Sequence, residues 1–246
     1  MGATVTFQGM SAGVEPFLSP MCLKFLARIV ISALTNVAPL PRISLVVATR
    51  NPGKFQEICA LLQGLEVLLV PLDRIGPVEV PPESGESFLE NACRKAAAVA
   101  KSLGHLSLAD DSGLEVDALG GEPGVRSARF GGPQATDAER NLLILKRLQG
   151  IPPERRTARF RCVVAIADPD GPVHIAEGMC EGRISLTPRG IHGFGYDPIF
   201  EVPALGKTLA EVGPDVKNRV SHRAQAVTKA RAILQGILGH RTGGPA

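Results

Sequence analysis

The stretch ISLVVATRNPGKFQEICALLQG, residues 43–64, constrains the fold more than any other part of the chain. It opens on a continuous β-rich apolar run, the pattern of a strand covered on both faces. Apolar residues then recur at 55, 58, 59, 61 and 62, a helical stripe, and Gly64 closes the helix. A doubly covered strand followed at once by an amphipathic helix belongs to an α/β sheet. LEVLLVP reads as a second strand, the Pro-rich GPVEVPPESG as a loop, and a helix is expected from about Ser87 to Leu103. LSLADDS is expected as a strand and LEVDALGG as a separate, shorter extended piece, with Gly113 allowing the backbone to turn between them.

The rest of the pattern extends the same sheet. TDAERNLLILKRLQG is a helix that Thr136 can cap, with Glu139 three residues on completing a capping box. TARFRCVVAIADPDG and VHIAEGMCEGRISL form two strands around a D-P-D-G turn, an antiparallel pair. GIHGFGYDPIF is a loop and SHRAQAVTKARAILQGIL a closing helix. The class is α/β, a mixed twisted sheet with flanking helices in one domain over 43–240, with 241–246 as a flexible tail. Residues 1–42 stand apart as an N-terminal extension, expected to be flexible or upstream of the true start. Lys24 and Arg28 interrupt its apolar MCLKFLARIVISAL segment, so no membrane anchor is expected.

Charge and cysteine usage narrow the function. Lys plus Arg number 27 against 24 acidic residues, and Lys24, Arg28 and Arg42 of the extension face only Glu15, which leaves 24 against 23 from residue 43 onward. So neutral a body argues against binding nucleic acid along its phosphate backbone, and the absence of Trp with a single Tyr argues against a base-stacking platform. Five scattered cysteines without a C-x-x-C pair read as reduced core residues of a cytoplasmic protein.

Five stretches carry candidate chemistry. In ATRNPGK, Thr49 to Lys54, backbone N–H groups and the helix dipole converge where an anion can bind, and Lys54 adds a cation. It is neither a Walker A loop nor a dinucleotide fingerprint, and an ordinary helix start, with Asn51 as N-cap and Pro52 at the first position, fits it as well. Glu83, ahead of the helix that holds Glu90 and Asn91, reads by itself as a cap. In LADDSG, strand alternation puts Leu106, Leu108 and Asp110 on one side and Ser107, Ala109 and Asp111 on the other. Two carboxylates ending a strand at its C-terminal edge suit Mg²⁺, and an Asx-turn is the competing explanation. GFGYDP sets Phe194 between glycines, against a planar ligand or into the core, with Asp197 free to accept hydrogen bonds. KNRVSHR gathers Lys217, Arg219, His222 and Arg223 behind a Ser221 cap, either as donors to carbonyl oxygens or as a solvated basic face.

The motifs TRNPGK, ESGESFLENA, ADDSGLEVDALGGEPGVRSAR, GFGYDPIF, GKTLAE and SHRAQA, in that order from about Ile43 to Gln235, resemble the bacterial-type inosine triphosphate pyrophosphatase family. The resemblance implies a two-lobed subunit with an active-site cleft between the lobes, a homodimer, and Mg²⁺-dependent hydrolysis of ITP, dITP or XTP to nucleoside monophosphate and pyrophosphate. On that basis Thr49, Asn51, Gly53 and Lys54 hold the triphosphate, with Arg50 and Pro52 completing the loop. Glu83 and Asp111 carry the metal, Asp111 is also the proton acceptor, Lys54 serves catalysis, and Ser112 touches substrate. Phe194 stacks on the base, Gly195 and Tyr196 complete that loop, Asp197 bonds the base edge, and Lys217, His222 and Arg223 recognise the purine. A Maf-type nucleotide pyrophosphatase and a catalytically silent nucleotide-binding regulator are the alternatives. The paired GFGYD and SHR motifs speak against the first, and the retained Glu83, Asp111 and Lys54 against the second.

Overall fold

The computed structural model describes residues 43–75 and 78–242; the expected extension, 1–42, and the last four residues of the expected tail lie outside the described residues. Seven strands form one mixed sheet: β1 (Ser44–Val47), β2 (Leu68–Pro71), β3 (Leu106–Val116), β4 (Thr157–Ala167), β5 (Val173–Ile184), β6 (Phe200–Val202) and β7 (Lys207–Thr208). Their order is β2-β1-β3-β4-β5-β6-β7. β1 is parallel to β2 and β3, whereas every pairing from β3 onward is antiparallel. The helices are α1 (Pro52–Leu61), α2 (Phe88–Leu103), α3 (Asp137–Arg147), α4 (Pro214–Val220) and α5 (His222–Thr242). Among the described residues no helix is long and apolar enough to cross a membrane.

Local chemistry sets the helix ends. Asn51 caps α1 through its side chain, which accepts from Lys54 N, and Pro52 opens the helix. Ser87 caps α2, and Gly104, at a φ of 64°, closes it in the left-handed region. Thr136 and Glu139 form the expected capping box on α3. Glu83 is therefore no cap: Ser87 takes that position and frees the Glu83 carboxylate for other partners.

One expectation is overturned. LADDSG and LEVDALGG do not form separate pieces: β3 runs through Gly113 without a turn, paired to β4 from Ser107↔Ala167 to Val116↔Ala158. The glycine is needed for another reason, since a Cβ at 113 would meet Ser127 Oγ at 2.5 Å and the Phe88 ring at 2.9 Å.

Among the described residues two hydrophobic clusters are built on this sheet beneath α2 and α3, and a further set of buried residues, Leu45, Val47, Ile58, Leu108, Ile166 and Leu234, belongs to β1, β3, β4, α1 and α5. α2 lays Phe88, Ala92, Ala96 and Val99 on Val46, Ala109, Val163 and Ala165. Farther along β3 and β4, Ile144 and Leu148 of α3 pack with Leu114, Val116, Phe160, Tyr196 and Phe200. α5 crosses β5 so closely that a Cβ on Gly178 would come within 2.5 Å of Ala226 N, and this approach carries His222 and Arg223 into the sheet.

Candidate active site

The site forms where β1 ends and β3 continues. Val47 pairs with Leu108, Ala48 N donates to Leu108 O at 2.7 Å, and β1 goes no further. The edge of β3 from Asp111 to Gly113 thus faces a cleft instead of a strand, at the carboxyl end of the parallel part of the sheet, where α/β proteins bind ligands, and Asp110 lies buried behind it. The cleft is about 570 Å³, and residues of both clusters line it, Leu72 and Val80 from one and Phe160 and Tyr196 from the other. Of the residues singled out in the sequence, Thr49, Arg50, Asn51, Lys54, Glu83, Asp111, Ser112, Phe194, Gly195, Tyr196, Asp197, Lys217, His222 and Arg223 all line it. Pro52 and Gly53 do not. Pro52 starts α1, and Gly53 backs the Phe194 ring, whose Cδ1 would lie 2.5 Å from a Cβ at that position.

The two aspartates have different surroundings because they point to opposite faces. Asp110, 1% exposed, faces α1 and α5. Its Oδ2 lies 3.0 Å from Lys54 Nζ and accepts from Arg223 Nε at 3.3 Å, Arg223 Nη2 at 3.2 Å and Ser112 Oγ at 3.2 Å. Burial alone would raise its pKa, but Lys54, Arg223 and Lys95 outweigh burial and hold the carboxyl far below the usual range. Asp111 faces α2. Its Oδ2 accepts from Asn91 Nδ2 at 3.0 Å, its Oδ1 from Ser112 N at 3.1 Å, and Lys95 Nζ stands 4.0 Å off. Here burial dominates and the Glu83 charge adds to it, so that despite Lys95, Lys54 and the Asn91 hydrogen bond the pKa is pushed up to about 6.

Lys95 links this carboxylate to the next. Its Nζ donates to Glu83 Oε1 at 2.6 Å and to Asp110 O at 2.7 Å. Burial raises the Glu83 pKa, but the Lys95 charge and hydrogen bond prevail and lower it. Asn91 fastens the arrangement, accepting from Gly85 N at 2.8 Å while donating to Asp111. Among the described residues no group of three His, Cys, Asp or Glu side chains forms a metal cage. Two oxygen ligands beside open space, one of them under-neutralised at neutral pH, suit a hard cation that keeps several waters.

The opposite end of the cleft carries an aromatic ring and donors. Phe194 N donates to Asp197 Oδ2 at 2.9 Å, and Lys217 Nζ bonds the same oxygen. Lys217 Nζ and Arg223 Cζ stand 4.7 and 5.6 Å from the Phe194 ring centroid. The basic run is no solvated face: Lys217, His222 and Arg223 are 4%, 4% and 2% exposed. Only Arg219 of that run is exposed. His222 stacks on Phe160 with centroids 4.6 Å apart, its Nδ1 has no hydrogen-bond partner among the described residues, and burial drives its pKa well down, so it stays neutral. Tyr196 is anchored through its hydroxyl, which donates to Ser127 O at 2.8 Å.

Sequence reasoning missed Lys95 and Glu57. Glu57 binds Arg223 and, at 2.8 Å, Lys217, tying α1 to α4 and α5; its pKa is lowered because these cations outweigh burial. Both residues left a signal. Asn91 and Lys95 fall at i and i+4 on the helical face that also buries Phe88, Ala92, Ala96 and Val99. Glu57 is a lone carboxylate next to Ile58, one turn after Lys54.

A nucleotide-sized cleft with a carboxylate and lysine cluster at one end and a ring with hydrogen-bond donors at the other defines an α/β nucleotide-processing class of site. The comparisons place the chain more narrowly: the Ham1 family profile matches residues 45–233, and the chain belongs to that family. It is 52% identical over 190 residues to a dITP/XTP pyrophosphatase of Thermus thermophilus, covering 77% of this chain and 89% of that protein. The dITP/XTP pyrophosphatase of Desulforamulus reducens is 48% identical over 197 residues, 80% of this chain and 98% of that one. The HAM1 protein of Coxiella burnetii superposes with a TM-score of 0.72 at 42% identity, over 79% of this chain and 99% of that structure. The family resemblance read from the six motifs is borne out.

Proposed function

We propose that the chain is a Mg²⁺-dependent pyrophosphatase acting, as a homodimer, on ITP, dITP and XTP. The observation that carries this reading is the convergence of Lys54, the Glu83–Lys95–Asp111 cluster and the Phe194 loop on one cleft of about 570 Å³. Lys54 and the Thr49–Gly53 loop bind the triphosphate, and the cations offset its charge. Asp111, with a pKa of about 6, is ionised at neutral pH yet basic enough to take a proton from water. Water attacks the α-phosphorus, the bond to the bridging oxygen breaks, and nucleoside monophosphate and pyrophosphate leave. Glu83 and Asp111 would hold Mg²⁺, which supplies charge neutralisation on the polyphosphate and a more acidic water. At the base end Asp197 is itself held by Lys217, while Lys217 and Arg223 turn donors toward a 6-keto oxygen, and adenine's 6-amino group meets them donor to donor.

The test is product analysis with purified protein, Mg²⁺ and a panel of nucleoside triphosphates. Pyrophosphate with monophosphate from ITP and XTP is expected; diphosphate with orthophosphate sinks the assigned bond cleavage. Sedimentation velocity checks the homodimer, and a single monomeric species would remove it.

A further inference from the structure

Arg140 lines the cleft but belongs to none of the motifs that point to it. It lies on α3, which holds the Phe194 loop at Gly195, whereas the basic residues of α4 and α5 meet that loop at Phe194 and Asp197. Its Nη1 donates to Asp137 Oδ1 at 2.8 Å, and Asp137 Oδ2 in turn accepts from Gly195 N at 2.7 Å. Asn141, the next residue on the helix, donates to Gly195 O at 3.0 Å. The guanidinium is thus fixed against the residue that follows the aromatic ring. The side chain is only 14% exposed, and its Nε is buried without a hydrogen-bond partner among the described residues. With Nη1 fixed on Asp137, the planar guanidinium is held in one orientation on the wall of the cleft and keeps N–H groups beyond that bond for a ligand acceptor.

We propose that Arg140 reads the 2-position of the purine and so sets the choice among 6-keto bases. The inference rests on the pyrophosphatase reading above, in which the base lies on the Phe194 loop with its 6-keto oxygen toward Lys217 and Arg223. The 2-position then turns to the other side of the loop, where α3 holds Arg140. Xanthine carries a keto oxygen there and loses a ring proton near neutrality, so it offers an acceptor and negative charge to the guanidinium. Hypoxanthine carries only hydrogen and leaves Arg140 to water, with neither gain nor clash. Guanine carries an amino group, and a donor meets a donor.

The experiment compares kcat/KM for XTP, ITP and GTP in the wild type, Arg140→Gln and Arg140→Lys. Gln replaces the cation with a side chain that can accept from an amino group. For Arg140→Gln the XTP to ITP ratio should fall by about tenfold or more, the scale of one hydrogen bond to a charged group, while GTP turnover rises. Arg140→Lys should recover part of the XTP preference. A merely structural role, acting through Asp137 and the Gly195 loop, would lower XTP and ITP together, and an unchanged ratio overturns the proposal. A wild-type protein inactive on both ITP and XTP overturns the pyrophosphatase reading and the Arg140 assignment together. Wild-type turnover of both with an unchanged ratio in the variant overturns the Arg140 assignment alone.

Discussion

Asp110→Asn and Asp111→Asn are the same chemical change one residue apart, and the structure requires opposite effects on stability. Asn at 110 leaves Lys54 without the charge 3.0 Å away and strips Arg223 of one of its two carboxylates. Removing one partner of a buried ion pair costs about 3–5 kcal/mol. In a domain of this size each kcal/mol moves the melting temperature by about 2–4 °C, so a fall of roughly 6–20 °C is expected. At 111 the balance reverses, because the carboxyl pKa rises from 3.8 to about 6 on folding. That shift of about two units makes the ionised group a cost of about 3 kcal/mol. The amide keeps only one of the two acceptor positions now used by Asn91 and Ser112, which loses about 1 kcal/mol, so the net gain is about 2 kcal/mol, or roughly 4–8 °C. The pH dependence has a definite sign. A carboxyl whose pKa is raised on folding binds its proton more tightly when folded, so its cost grows as pH rises from about 4 to about 6 and stays constant above. The assay is calorimetry of chelator-treated wild type and both variants at pH 4, 5, 6 and 7.5. Asp111→Asn should melt above wild type at pH 7.5, with the gap closing toward pH 4, and Asp110→Asn should melt below it at pH 7.5. Shifts of the same direction in both variants at pH 7.5 would refute the reasoning.

Gly53→Ala should raise the KM for ITP with little change in melting temperature, because a Cβ 2.5 Å from Phe194 Cδ1 displaces that ring and little else; an unchanged KM would detach Phe194 from base binding. Tyr196→Phe removes the donor to Ser127 O and leaves a buried carbonyl unpartnered, so unfolding in urea should show a loss of about 1–3 kcal/mol with KM nearly unchanged. Exhaustive chelation should abolish pyrophosphate release and Mg²⁺ should restore it, and turnover surviving chelation would remove the metal from the mechanism.

The elements set by local chemistry were legible in the sequence. The β1–α1 unit, the Asn51 and Thr136 caps and the antiparallel β4–β5 pair follow from side chains within a few residues of each other. The opposition of Asp110 and Asp111 was legible too, as a consequence of strand pleat alone. What failed was the turn at Gly113, since a glycine after two aspartates carries the same local signal whether the chain bends there or another segment packs against it. Ser127 and Phe88 decide the case, and they are remote in sequence. Lys95 and Glu57 were missed for a related reason. A lysine or glutamate on a helix is read as solvated, and only the apolar residues around Asn91 and Lys95 reveal that their face is buried.

Adjacent residues on opposite faces of a strand ordinarily serve separate cores, and here they serve one cleft because β1 stops short. Past Leu108 the edge of β3 has no parallel neighbour, so Asp111 from one face and Ser112 from the other border the same opening, with Asp110 buried just behind it against Lys54. This permits a division that a pair on one face could not make. Asp110 is held by Lys54 and Arg223, joins α1 to α5 and stays charged; its cations cannot leave without exposing a buried carboxylate. Asp111 shares a single lysine with Glu83 and remains under-neutralised, which is what a carboxylate needs if it is to attract a cation or accept a proton near neutral pH. A slip of β3 by one residue would put one aspartate in the other's place and leave the remaining position to a neighbour, Ala109 at the α1–α5 junction or Ser112 in the α2 cluster according to the direction of the slip. The register with β4 that fixes Asp110 opposite Val164 and Asp111 opposite Val163 is therefore as much a part of the site as the carboxylates themselves.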